Sequence, residues 1–354
     1  MKRRSFAMLL CAVMLLSACG QTTQPGGTST PAGTSAPGDT STPDTAIDPI
    51  DINFGAGAMG GNYYIIAGAM KTVAEKYCPS IKGFSVLAGA SSQFMAETQE
   101  GSIDMYMNTI DALYYGYAGT GQQGFPEGVQ FDKSNLMTIM YNHLMVYMSL
   151  ANSPVESISD ITGTVGVPSP TMVGFTEDLL RACGIENPNV QAINDYNQLG
   201  QGLKDGTFQV ILHGGPIPHS STVELAASTD IKLTTMTMEQ IQKTIAEGPD
   251  SGMCQPFMVA GDSYDFMTGD YQTFGRAATI SCREDLPEQV VYEFTKAIFE
   301  HPEDIVAVYA PMAEMTLEAI QAAADDGVIR VPIHPGARRY YEEQGIVFPD
   351  SVPR

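Results

Sequence analysis

The stretch Ile52-Asn53-Phe54-Gly55-Ala56-Gly57-Ala58-Met59-Gly60-Gly61-Asn62-Tyr63-Tyr64 decides how this chain is read. It predicts a short strand, then a glycine-rich turn, then a helix that carries Ile66, Met70, Val73 and Tyr77 along one face. Glycine lets a backbone approach a ligand closely, and the first-turn N–H groups of a helix are free donors at its positive end. An anionic group is the natural guest of such a turn. The alternative is a turn in which glycine serves backbone shape alone.

Residues 55–60 also satisfy GxGxxG, which raises the possibility of a dinucleotide site. That motif needs an acidic residue at the end of the second strand to hold a ribose. Here the predicted second strand, Phe84 to Leu87, runs into Ala88-Gly89-Ala90-Ser91, so the dinucleotide reading fails. Ser91 is placed to cap the helix that follows, with Gln93 beside it. A third strand, around Met105 to Met107, leads into Asn108-Thr109-Ile110-Asp111 and a run of tyrosines that reads as core packing or as a binding platform. Three strands that each end in a polar or glycine-rich turn put their carboxyl ends along one crevice, where open α/β sheets bind ligands.

Toward the N-terminus, Lys2, Arg3 and Arg4 precede an apolar run from Phe6 to Leu16, too short to span a bilayer. This predicts a signal peptide over residues 1–18. Ser17-Ala18-Cys19-Gly20 resembles the lipobox of bacterial lipoproteins, in which Cys19 would be acylated. An ordinary signal peptide with a chance cysteine is the other reading. Residues 19–48 are Thr, Ser, Pro and Gly with hardly a large apolar side chain, which predicts a disordered tether of about 30 Å span. The expected location is extracytoplasmic, held to the membrane by lipid alone.

The remaining residues suffice for two α/β lobes with separate cores. Net charge is −22, and loss of the signal would make it more acidic still, which argues against nucleic acid as a partner. Cys78, Cys183, Cys254 and Cys282 are far apart with no CxxC, and no HExxH, GxSxG or P-loop motif occurs. No metal, cofactor or catalyst is expected.

With these motifs in order, the chain resembles the TAXI receptors of tripartite ATP-independent periplasmic (TRAP) transporters. The family's GTGSTGGTYYP is matched by Gly55, Gly57, Gly60, Gly61, Tyr63 and Tyr64, its TGGSVEN by Gly89 and Ser91, and its QSD by Asp111. The resemblance continues at Leu203-Lys204-Asp205-Gly206, Gly214-Gly215, Asp285-Leu286-Pro287 and His334-Pro335-Gly336-Ala337 before Tyr340-Tyr341. It implies a two-lobed, periplasmic-binding-protein-like (type II) α/β fold with a hinge and an interlobe ligand cleft. It also implies a receptor that hands a small solute to TRAP membrane permease subunits. Lobe 1 is expected over 49–150 and 273–354 and lobe 2 over 151–272, with the crossings at Tyr141–Leu150 and Gly275–Cys282. A surface lipoprotein that senses a ligand without transporting it is the alternative, and a dinucleotide-binding enzyme a remoter one.

Departures from the family fall mainly in the second lobe. Val167-Pro168-Ser169-Pro170-Thr171-Met172 stands where the family has GPPGSGT, Thr109-Ile110-Asp111 replaces QSD, and Phe94 replaces Asn. Two prolines bring no N–H, so fewer amides are left there for a carboxylate. The expected ligand contacts are Gly60, Gly61, Asn62, Tyr63 and Tyr64; Ser91 and Gln93; Asn108, Thr109 and Asp111; and, from lobe 2, Ser169, Thr171, His213, Gly214 and Gly215. The expected ligand is a small, carboxylate-bearing solute.

Overall fold

Two long antiparallel strands, β4 (Ser134–Leu150) and β10 (Tyr271–Arg283), run side by side through the centre of the molecule. Both are the apolar strands expected near Tyr141–Leu150 and Gly275–Cys282, and both are longer. β4 is buried along almost its whole length, as a central strand covered on both faces must be. The structure, a computed structural model, describes residues 47–354 apart from 58, 60, 122–124 and 248–251 and the side chains of Thr171 and Glu247. The expected signal peptide, Cys19 and the tether up to residue 46 lie outside the described residues. No described helix is long and apolar enough to cross a membrane.

Lobe 1 begins β1 (Ile50–Gly55), α1 (Asn62–Tyr77), β2 (Ile81–Leu87), α2 (Ser91–Glu100), β3 (Met105–Thr109), α3 (Ile110–Ala118). Lobe 2 continues β5 (Thr164–Val167), α4 (Thr171–Ala182), β6 (Asn189–Ala192), α5 (Tyr196–Lys204), β7 (Val210–Gly215), α6 (Ser220–Ala226), β8 (Ile231–Leu233), α7 (Met238–Glu247), β9 (Cys254–Val259). After β10 the chain returns to lobe 1 with α8 (Glu288–Glu300), α9 (Pro302–Val306), α10 (Leu317–Asp325) and α11 (Pro335–Glu343).

The sheet order is β2-β1-β3-β10-β4-β7-β5-β6, with β8 added to β4 and β9 to β10. Each lobe therefore contains a parallel trio whose first strand lies in the middle, β2-β1-β3 and β6-β5-β7. The central strand of such a trio is a topological switch point, so a crevice opens at its carboxyl end. Strand β10 slots antiparallel between β3 and β4, which makes the two trios share one pair of long strands.

Hydrophobic periodicity explains the layers. On α1, Ile66, Met70 and Val73 are fully buried against Ile52, Phe54 and Phe84 of the lobe 1 core. In lobe 2, Val165, Val167 and Leu212 face Leu179 and Ile241 on one side of the sheet, while Val146, Met148 and Ile211 face Leu199 and Phe208 on the other. Helix α2 stops at Gly101, whose φ of +83° is a left-handed conformation suited to glycine.

Candidate functional site

The carboxyl ends of both parallel trios face one cavity of about 80 Å³. From lobe 1 it is lined by Gly57, Gly61, Asn62 and Tyr63 after β1, by Gly89, Ala90 and Ser91 after β2, and by Thr109 and Ala112 after β3. From lobe 2 come Pro168, Ser169 and Met172 after β5, Asn194 and Tyr196 after β6, and Gly214 at the end of β7. Tyr141 and His143 of β4 complete the wall.

Four helices begin at this cavity without a side-chain cap: α1 after Gly61, α2 after Ala90, α3 after Thr109 and α4 after Pro170. Their positive dipole ends thus face the space, while part of the first-turn amides is taken by the backbone: Tyr64 N, Met172 N and Val173 N bond the carbonyls of Gly61, Ser169 and Pro170. Among the described lining residues there is no Asp, Glu, Lys or Arg. The nearest charges neutralise each other: Arg276 Nε lies 2.8 Å from Asp111 Oδ2, and Arg276 Nη2 touches the Sδ of the lining residue Met172 at 3.3 Å.

Polar side chains in the wall are held from behind. The hydroxyl of Tyr63 donates to the carbonyl of Asn108 at 2.9 Å and lies 3.5 Å from His143 Nδ1. Tyr196 donates to the carbonyl of Gly214 at 3.2 Å. Burial pushes the Tyr63 hydroxyl well above the ordinary tyrosine range. His143 is driven well below the usual histidine value, first by burial and then by the Arg276 charge. Behind it, His213 and His219 are also held neutral by burial, His219 down to about 4, with ring centres 5.2 Å apart.

Of the residues expected from sequence, Gly61, Asn62, Tyr63, Ser91, Thr109, Ser169 and Gly214 line this cavity. Others sit elsewhere. Gln93 is exposed and turns along α2 to Glu97 at 2.8 Å, because its position in the helix faces solvent. Asn108 is buried in the sheet, its Oδ1 accepting from Thr279 and, at 3.1 Å, from Ser281. Asp111 serves the ion pair, and Tyr64 packs against the lobe 1 core. His213 donates to or accepts from Thr222 at 2.8 Å and stands with Gly215 just behind the wall. Thr171 opens α4, its side chain outside the described set, and Gly60 is not among the described residues.

One role is corrected. Ser91 is the first residue of α2 and does not cap it; its hydroxyl donates to the Met107 carbonyl at 3.1 Å, tying α2 to β3. Sequence reasoning missed Tyr141, His143, Asn194 and Tyr196. Asp195, which does cap α5 through Gln198 N at 3.0 Å, is the signal that could have exposed the β6 turn.

A model of the NMT1-like family matches residues 54–345, which includes every loop that lines the cavity. The chain belongs to the NMT1-like family. Among solved structures, this NMT1-like protein is similar to a malate-bound protein, MatC, from Rhodopseudomonas palustris, at 12% identity over 84% of this chain and 97% of that one, TM-score 0.49. It is also similar to the substrate-binding protein of an amino acid ABC transporter, at 13% identity over 73% and 96% of the two chains, TM-score 0.45. A third likeness is to the ligand-binding component of an ABC-type import system from Staphylococcus aureus, at 10% identity over 82% and 96%, TM-score 0.46.

Proposed function

We propose that this protein is an extracytoplasmic solute receptor of the TAXI type, which captures a small carboxylate between its lobes and delivers it to TRAP permease subunits. The observation that carries this reading is the meeting of four uncapped helix N-termini, drawn from both lobes, on one cavity. Helix N-termini brought to one cavity from both lobes favour an anion, and favour it most when the lobes are together. Strands β4 and β10, the two connections that cross between the lobes, act as the hinge.

The cavity also limits the ligand. No lining carboxylate is available to pair with an ammonium, since Asp111 is committed to Arg276. A short carboxylate with hydroxyl or keto oxygens fits, whereas an amino acid would bury an unpaired cation. The Tyr63 and Tyr196 hydroxyls have already given their hydrogens to backbone carbonyls, so the further side-chain donors are the Tyr141 hydroxyl and the neutral ring of His143. No step of bond-making is required of any residue.

The sequence resemblance supports anchoring through an acylated Cys19 and a tether that lets the lobes reach a partner in the same membrane. Metabolic labelling with a fatty acid tests the anchor: the parent chain takes up label and Cys19→Ser does not, and equal labelling of both contradicts it. For the receptor reading, the full chain is purified without added ligand, denatured, and the released small molecules identified by mass spectrometry. A stoichiometric short carboxylate is expected; a released amine or nucleotide would overturn the reading.

A further inference from the structure

We infer that Ser220 and Asn62 form a clasp across the cleft, which holds the lobes together and aims the Asn62 amide at the bound carboxylate; the second part rests on the receptor reading above. Asn62 opens α1 in lobe 1 and Ser220 opens α6 in lobe 2. The Ser220 hydroxyl donates to Asn62 Oδ1 at 2.7 Å, a bond between elements of opposite lobes.

This bond fixes the carboxamide. With Oδ1 engaged by Ser220, Nδ2 becomes the group that Asn62 has left to offer. Asn62 is buried to 4% exposure and lines the cavity, while its Nδ2 has no hydrogen-bond partner among the described residues. A buried donor without an acceptor is costly, and a ligand oxygen removes that cost. Gly215 leaves room for this nitrogen, since an added Cβ there would stand 2.9 Å from it.

Opening the cleft would carry Ser220 away and free the carboxamide to rotate. The Asn62 contact is therefore strongest when the lobes are together, so a ligand that accepts from Nδ2 favours closure. Ser220 does not line the cavity, and its part is to position Asn62.

The test uses the full chain with keto-bearing unnatural residues at exposed Glu75 on α1 and Glu224 on α6, so that spin labels need no cysteine change. In ligand-free protein, Ser220→Ala should lengthen and broaden the distance distribution between the labels, and Ser220→Thr, which keeps the hydroxyl, should restore it. An Ala distribution identical to the parent's overturns the clasp. With pyruvate as probe, Ser220→Ala should weaken binding about tenfold and Ser220→Thr should recover it. Equal pyruvate affinity in parent and Ala variant overturns the aiming role. A parent that binds no short carboxylate overturns the ligand class and the aiming role with it, while the ligand-free distances still decide the clasp.

Discussion

Arg276 Nε stands 2.8 Å from Asp111 Oδ2, and neither side chain reaches solvent, with exposures of 1 and 0%. Asp111 belongs to the first turn of α3 and Arg276 to the long central strand β10, so the pair ties that helix to that strand. The guanidinium also lies over the Phe175 ring at 4.4 Å. Removing one partner strands a charge in the interior. Asp111→Asn should lower unfolding free energy by about 3–5 kcal/mol, measured from urea midpoints. The double variant Asp111→Leu with Arg276→Met should lose much less than the sum of the single changes. Additive losses would show that the two residues act independently.

Acid should destabilise the fold in a defined window. His143, His213 and His219 are held neutral by burial, with His219 lowered from 6.5 to about 4. Their folded values lie below their unfolded ones, so between about pH 6.5 and 4 the unfolded chain binds more protons and stability falls as pH falls. Asp160 and Asp304, whose carboxyls are held below 3.8 by hydrogen bonds, add a loss only at lower pH. Melting temperature measured across this window should drop, and His219→Gln should flatten the slope. A profile level from pH 7 to 4.5 would contradict the buried neutral cluster.

The glycine motif carries a packing demand that can be tested separately from binding. Phe94 lies across both glycine turns: a Cβ at Gly55 would come within 2.5 Å of its ring and one at Gly89 within 2.7 Å. Gly55→Ala should cost about 1–3 kcal/mol through overpacking, and Phe94→Leu combined with it should recover part of that loss. Denaturation of the two variants decides the matter; a Gly55→Ala chain as stable as the parent would show that the ring yields freely.

Much of this arrangement was legible in the sequence, because strand, turn and helix follow one another with a clear change of period. Ile66, Met70 and Val73 fall on the buried face as their spacing requires, and the turns after β1, β2 and β3 all meet at the cavity. The glycines were only half read. Gly57, with φ of +71°, is a backbone requirement beside the cavity, whereas Gly55 makes room for Phe94, a long-range contact that no local pattern encodes. Asn108 and Asp111 look from the sequence like ligand contacts since they follow a strand end. Their partners Ser281 and Arg276 lie on β10, far along the chain, and only the sheet order brings them together. His143 escaped notice for the same reason, being one histidine in a long apolar strand.

On the proposed receptor function, a cavity lined by no charged side chain and ringed by helix N-termini should take a small carboxylate and refuse an ammonium. Calorimetric titration of the full chain with pyruvate and with alanine, matched in size and differing in the keto and ammonium groups, tests it directly. Pyruvate should bind, and at about 100 times its dissociation constant should stabilise the fold by about 2.7 kcal/mol, while alanine gives no heat of binding. Alanine binding as tightly as pyruvate, or pyruvate binding unaltered in a folded Gly61→Val variant, would contradict the account.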